Sequence, residues 1–199
     1  SARFGMFNIL DSHDTPRFIT EAHGDWYRLR PAAIFQMTYV GAPVIYYGDE
    51  LGMEGAADPD SRRTFPWELV PDATHPVRPG SAAPHVTPRT TRTSAPGRSA
   101  SSMHIDLDSR SRNLFGLYQK LIATRQAEPA LRRGEFEVLA THNDNQLVTY
   151  RRWIPGSERD AIVAINNDVT GHEVQVPVDR FAPNGTTYVD ALSGSRYTV

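Results

Sequence analysis

The sequence predicts a chain of two parts, α/β over residues 1–128 and all-β over residues 133–199, and three observations carry that reading. A strand-like run, a helical pattern and a second strand-like run follow one another between residues 4 and 50, which is the unit of a parallel sheet. Leu114, Leu117, Tyr118, Leu121 and Ile122 then fall at i, i+3, i+4, i+7 and i+8, one face of an amphipathic helix. Beyond Gly134 the period changes to short apolar or alternating runs separated by turn residues, the pattern of an antiparallel β-sandwich.

The first run, Phe4 to Leu10, is too brief for a helix and rich in strand formers. It stops at Asp11-Ser12-His13-Asp14-Thr15-Pro16-Arg17, where Pro16 biases Thr15 away from the α region. His13 and Asp14 are therefore expected in a loop at a strand's carboxyl end, the edge where α/β folds and (β/α)₈ barrels place their chemistry. A His-Asp pair alone also marks helical metal-binding phosphohydrolase sites, or a polar loop that only caps a strand. The strand-like run before this pair sets it apart from the helical case.

Gly24 breaks the chain, and a helix is predicted from Trp26 to Tyr39, with Pro31 in its first turn and Ile34, Phe35, Met37 and Thr38 on its buried side. Gly41 ends it. Ala42-Pro43-Val44-Ile45-Tyr46-Tyr47 is the second strand, stopping at Gly48-Asp49-Glu50. Neighbouring side chains on a strand point to opposite faces, so Asp49 and Glu50 are read as structural or rim residues rather than a convergent acid pair. Residues 70–106 are dominated by Pro, Ser, Thr, Ala and Arg, with no acidic residue between Asp72 and Asp106. An irregular or disordered loop is expected there, with His75, His85 and His104 exposed to solvent. Order is predicted to return with a helix from Arg112, with Pro129 just past its end. Strands are predicted at Phe136 to Leu139, Leu147 to Trp153, Ala161 to Ile165, Val174 to Val178 and Thr187 to Val189, and Tyr197-Thr198-Val199 enters one more.

Composition narrows the function classes. A net charge of −2, with 21 basic residues that form no stripe interleaved with aromatics, argues against nucleic acid. The absence of cysteine removes disulfides, thiolate metal sites and cysteine nucleophiles. No apolar run is long enough to span a bilayer, so no membrane partner is expected.

Asn8-Ile9-Leu10-Asp11-Ser12-His13-Asp14-Thr15-Pro16-Arg17 resembles the segment after the seventh barrel strand in the alpha-amylase superfamily, glycoside hydrolase family 13, and most of all its cyclomaltodextrinase and neopullulanase branch. Pro43-Val44-Ile45-Tyr46-Tyr47-Gly48-Asp49-Glu50-Leu51-Gly52-Met53 is similar to the eighth strand, and Asp58-Pro59-Asp60-Ser61-Arg62-Arg63-Thr64-Phe65-Pro66-Trp67 to the loop after it. Tyr118 to Arg125 with Pro129-Ala130-Leu131 resembles the closing barrel helix. The resemblance implies the last β/α units of a (β/α)₈ TIM barrel followed by a β-sandwich C-terminal domain that is cut short, the chain being a C-terminal fragment. The 70–106 stretch departs from the family, whose connection there is shorter and more acidic.

The resemblance also implies a retaining hydrolase of α-1,4-glucosidic bonds in maltodextrins, cyclodextrins or pullulan. A transglycosidase, an α-glucosidase or a non-catalytic carbohydrate-binding fragment are the alternatives. Retention needs a carboxylate nucleophile and a carboxylic acid about 5 Å apart. In the family both come from earlier strands, so the 199 residues alone are expected to be inactive. Asp14 matches the third catalytic carboxylate, His13 its hydroxyl-binding neighbour, and Asp58 with Arg62 a substrate-binding pair near the subsites beyond the scissile bond. Trp67 offers a stacking face, or simply packs. An α-glucan oligosaccharide is the implied partner. For the intact protein the resemblance leaves calcium and a homodimer open, though no metal site is evident in these residues, and it favours the cytoplasm.

Overall fold

A computed structural model of the chain describes residues 5–70 and 107–199, so most of the expected 70–106 loop, with His75, His85 and His104, lies outside the described residues. The predicted parallel unit is present in shortened form. Strand β1 (Phe7–Asn8) pairs in parallel with β2 (Ala42–Pro43), Phe7 opposite Ala42 and Asn8 opposite Pro43. The strands were expected to run four or five residues longer. Each has a single neighbour among the described residues, so only Ala42 N donating to Met6 O and Val44 N donating to Asn8 O extend the ladder. Met6, Phe7, Ile9 and Val44 stay exposed on this pair.

The crossover consists of α1 (Phe18–Glu21) and α2 (Trp26–Thr38). Asp25 caps α2 by accepting from Tyr27 N at 3.0 Å. Pro31 lies inside α2 rather than in its first turn. The carbonyl that its missing N–H leaves unpaired belongs to Tyr27, on the exposed side, where water can serve it. The buried side is Leu29, Ala33, Gln36, Met37 and Thr38, whereas Phe35, expected inside, is 42% exposed and stacks on Tyr39 at 4.7 Å. Gln36 was not anticipated in the core. It is satisfied on every side, its Nε2 donating to Val44 O at 2.9 Å and Asn8 O at 3.3 Å, its Oε1 accepting from Tyr118 Oη at 3.2 Å. The helix is thereby pinned to the ends of both strands.

Helix α3 (Leu107–Ala127) begins five residues before the predicted start and lays Leu114, Leu117, Tyr118 and Leu121 against Ile19, Leu29, Ala33 and Met37. Ile122, assigned to that face, is 37% exposed. Pro129 opens the short α4 (Pro129–Arg133), where its fixed φ suits the first turn.

The all-β part contains a three-stranded antiparallel sheet, β3 (Glu135–His142), β4 (Leu147–Trp153) and β5 (Asp160–Asn166), in the order β3-β4-β5 with an irregularity between Val138 and Ala140. A separate hairpin joins β6 (Thr187–Val189) to β7 (Arg196–Thr198). Val174 to Val178 forms no strand. Burial alternates along it as a strand would demand, but no described strand pairs with it. Alternation reports a half-buried extended chain, and pairing is a separate requirement.

The sheet is fastened to α2 through polar groups as well as through the cluster of Leu131, Tyr150, Val163 and Ile165. Thr38 Oγ1 donates to Ile34 O, so the 2.5 Å contact with Tyr150 Oη has the tyrosine as donor. Burial pushes the Tyr150 hydroxyl up to about 12, keeping it protonated for that role. Two buried guanidiniums cap the end of α2. Arg125 donates to Met37 O at 2.8 Å and Gly41 O at 2.6 Å, and Arg152 to Thr38 O at 2.5 Å, Gly134 O at 3.0 Å and Glu135 O at 3.1 Å. Both place positive charge at the negative end of the helix dipole. Gly41 is required at this turn, because its φ is +109° and a Cβ would stand 2.6 Å from Met6 O.

Replacing Arg152 by Met would leave buried carbonyls without donors while keeping most of the volume. Arg152→Met is expected to lower unfolding free energy by about 3 kcal/mol, and Tyr150→Phe by about 1 kcal/mol, both read from urea denaturation midpoints at unchanged m-value.

Candidate active site

The chain leaves β1 through a tight polar turn. Ser12 N donates to Thr15 Oγ1 at 2.9 Å, Thr15 N to Ser12 O at 3.3 Å and Asp14 N to Ser12 Oγ at 3.2 Å. These bonds occupy the backbone and small hydroxyls, so the His13 and Asp14 side chains project outward, 55% and 71% exposed. The turn ends at α1, where buried Asp11 reaches forward and its Oδ2 accepts from Phe18 N at 2.6 Å.

Beneath the turn lies Arg17, whose side chain is wholly buried. Its Nε donates to Ser61 O at 3.0 Å and its Nη1 to Tyr47 O at 2.6 Å, with Asp49 Oδ1 at 3.4 Å and Asp11 Oδ1 at 4.0 Å from the same nitrogen. The guanidinium also lies over the rings of Tyr46 and Tyr47, 3.9 and 4.7 Å from their centroids. Its backbone N donates to Gly55 O at 2.8 Å. Gly55 permits this approach, since a Cβ there would meet Asp60 O at 2.7 Å and Arg17 Cγ at 3.2 Å. Three segments thus converge on one cation: the turn after β1, the stretch after β2, and the loop carrying residues 55–63.

That third loop is closed on itself. Asp60 accepts from Ala56 N at 2.8 Å and from Arg63 in a bidentate fork at 2.7 and 2.7 Å, and the fork holds its carboxyl below the usual range. Tyr47 Oη donates to Arg63 O at 2.9 Å, and buried Ser61 Oγ donates to His13 O at 3.2 Å. The outcome is a continuous charged row on the surface. His13 Nε2 lies 3.2 Å from Asp14 Oδ1, Arg62 Nη2 lies 3.5 Å from the same oxygen, and Arg62 Nε lies 2.6 Å from Asp58 Oδ1. The four residues singled out from the sequence, His13, Asp14, Asp58 and Arg62, are brought together in one contiguous row.

Near it are exposed Tyr47 and Trp67, with half-buried Phe65 between them. Phe65 lies 6.5 Å from Tyr47 and 4.7 Å from Trp67, and Trp67 is 73% exposed. An exposed carboxylate with paired cation and imidazole, flanked by aromatic faces, can accept hydroxyl hydrogen bonds while apolar sugar faces stack alongside.

A model of the alpha-amylase catalytic domain matches residues 2–134, up to the residue before β3. The chain belongs to the alpha-amylase family. It is 34% identical over 171 residues to a cyclomaltodextrinase of a Bacillus species, covering 85% of this chain and 23% of that protein. To neopullulanase 2 of Thermoactinomyces vulgaris it is 33% identical over 190 residues, covering 96% and 25%. A solved cyclomaltodextrinase structure superposes with a TM-score of 0.61 at 33% identity, covering 88% of this chain and 23% of that one. These likenesses place it in the cyclomaltodextrinase-like branch. The chain spans about a quarter of the length of the curated relatives it matches.

Part of what builds the site in this alpha-amylase-family chain escaped the sequence reading. Asp11, Arg17 and Ser61 are buried and touch nothing that periodicity reveals, and the polar break after Leu10 was their one local signal. Asp49 and Glu50 do not lie on a strand. They start a 3₁₀ turn, Asp49–Leu51, in which Asp49 is buried against Arg17 and Glu50 accepts from Gly48 N at 2.8 Å. Burial and the adjacent Asp11 push the Asp49 carboxyl up to about 8. Among the described residues no group of three or more His, Cys, Asp or Glu is gathered as a metal cage. No described helix is long and apolar enough to cross a membrane.

Lysine in place of Arg17 would keep one charge and lose the fork that joins the three segments. Arg17→Lys is expected to destabilise the protein by about 1–3 kcal/mol and to speed amide exchange in residues 12–15 and 55–63 more than in β3–β5, measurable by hydrogen–deuterium exchange.

Proposed function

We propose that the protein carrying this chain is a retaining glycoside hydrolase that cleaves α-1,4-glucosidic bonds in maltodextrins, cyclodextrins or pullulan. The observation that carries the reading is the row His13–Asp14–Arg62–Asp58, assembled from the turn after β1 and the loop after β2, beside exposed aromatic faces. In this reading residues 1–128 supply the closing β/α units of a (β/α)₈ barrel and residues 133–199 a β-sandwich domain packed on α2. The names of the relatives, cyclomaltodextrinase, neopullulanase and amylopullulanase, support an α-glucan substrate.

Asp14 accepts hydrogen bonds from two vicinal sugar hydroxyls next to the reacting carbon. These bonds strengthen as positive charge builds on the ring, so they lower the barrier more than they tighten ground-state binding. His13 donates to a neighbouring hydroxyl. Arg62 holds the Asp14 carboxylate through Nη2 and is itself held by Asp58 through Nε, which fixes the end of the site beyond the scissile bond. The nucleophile and the acid/base group are contributed by two further carboxylates on other strands of the barrel.

In protein carrying the complete barrel, Asp14→Asn is expected to lower kcat on β-cyclodextrin by about 10²–10³-fold with KM changed far less, measured by reducing-sugar release. Equal losses in kcat and binding, or no loss, would remove Asp14 from the transition state. Arg62→Ala is expected to act mainly on KM for longer maltodextrins, because its contact lies to one side of the reacting bond.

A further inference from the structure

Beneath the exposed row lies a charge problem. Asp11 and Asp49 are both buried, their side chains 2% and 4% exposed, and Arg17 faces both. The two carboxyls converge on one guanidinium nitrogen, Arg17 Nη1, at 4.0 and 3.4 Å, yet Asp11 Oδ1 and Asp49 Oδ2 have no donor. The other two oxygens are served, Asp11 Oδ2 by Phe18 N at 2.6 Å and Asp49 Oδ1 by Arg17 Nη1 at 3.4 Å. Two ionised carboxylates against one guanidinium would leave a buried net negative charge and two unsatisfied acceptors. One proton removes both faults.

We propose that Asp11 and Asp49 share a single proton and that this carboxyl–carboxylate pair, clamped by Arg17, positions the turn that presents His13 and Asp14. With the proton on Asp49, its hydroxyl donates to Asp11 Oδ1 and the cluster of Asp11, Asp49 and Arg17 is neutral. The proton's release to solvent restores two facing negative charges and weakens the grip of Asp11 on Phe18 N, where the turn is anchored. The groups around the pair act in opposite directions. Glu50, on the same 3₁₀ turn, adds negative charge, and Tyr118 from α3 presents a hydroxyl that burial keeps protonated and that donates to Gln36. Arg17 supplies the opposing cation.

The linkage has a definite sign. A carboxyl that holds its proton in the folded chain and loses it in the unfolded chain stabilises the fold at acid pH. That stability declines as pH climbs from the ordinary carboxylate range to about 8, and is level above it. The positioning role rests on the glucan-cleaving reading of Asp14, but the proton itself does not, and the test separates them. In protein labelled with ¹³C at the aspartate carboxyls, NMR titration is expected to show one buried carboxyl titrating near pH 8. Asp49→Asn, which offers an amide donor in place of the proton, removes that titration. Asp11→Asn moves the Asp49 titration down, while burial still holds it above the ordinary carboxylate range. The protection factors of the amides at Phe18 and residues 12–15, with the intrinsic pH dependence of exchange divided out, fall through the same transition in the wild-type protein and stay level in Asp49→Asn. No aspartate titrating above the ordinary range, or an Asp49 titration unmoved by Asp11→Asn, would overturn proton sharing. A titration without the exchange change would overturn positioning. None of these readouts depends on glucan turnover, and if Asp49→Asn fails to fold, Asp11→Asn and the wild-type exchange still decide.

Discussion

The buried guanidinium of Arg17 is the contact through which the three site-forming segments know of one another. Its donors end on Ser61 O and Tyr47 O, its charge faces Asp11 and Asp49, and its flat faces lie on two tyrosines. An arginine held this way cannot be deprotonated to escape burial, so the surroundings must supply the compensation. That requirement explains why acidic residues lie inside a chain that has only modest apolar content, and why the turn after β1 stays in register with the loop after β2. The exposed row of His13, Asp14, Arg62 and Asp58 is the surface consequence of a buried pin.

A second pair of arginines performs the equivalent task at the other end of α2. Arg125 and Arg152 come from different elements and end on the last carbonyls of the helix and on the turn that follows it. Because Arg152 belongs to β4, the sheet and the helix share one set of hydrogen bonds. Ile34 packs against both apolar clusters, so the polar fastening and the hydrophobic one coincide. The parallel pair is thus held rigid from below while its loops stay open above, the division of labour expected when chemistry sits on loops carried by a stiff scaffold.

Exposure and fixity coexist in the row itself. Surface ion pairs contribute little to stability, and the 2.6 Å Arg62–Asp58 contact and the longer Arg62–Asp14 contact are both more than half open to water on the acidic side. Their value lies in orientation. Asp14 has its backbone tied to Ser12 and its carboxylate flanked by an imidazole and a guanidinium, so the acceptor oxygens are aimed before anything binds. The buried pin sets where the row stands, and the row sets which way the acceptor points.

Local chemistry was legible in the sequence wherever it left a period or a break. The amphipathic spacing of Leu114 to Leu121, the strands at Leu147 to Trp153 and Ala161 to Ile165, the parallel strand–helix–strand unit and the abrupt polar stop at Asp11 could all be read from residue types alone. The choice of His13, Asp14, Asp58 and Arg62 came from resemblance to a motif, and their mutual contact from the fold. Only the tertiary structure decided that Asp11, Arg17 and Asp49 form one buried unit, that Gln36 belongs in the core, and that Val174 to Val178 goes unpaired. The physical reason is range. Periodicity describes neighbours a few residues apart, whereas Arg17 finds Asp49 and Ser61 at separations of 32 and 44 positions, where a charge's partner is set by which loops the packed helices bring together.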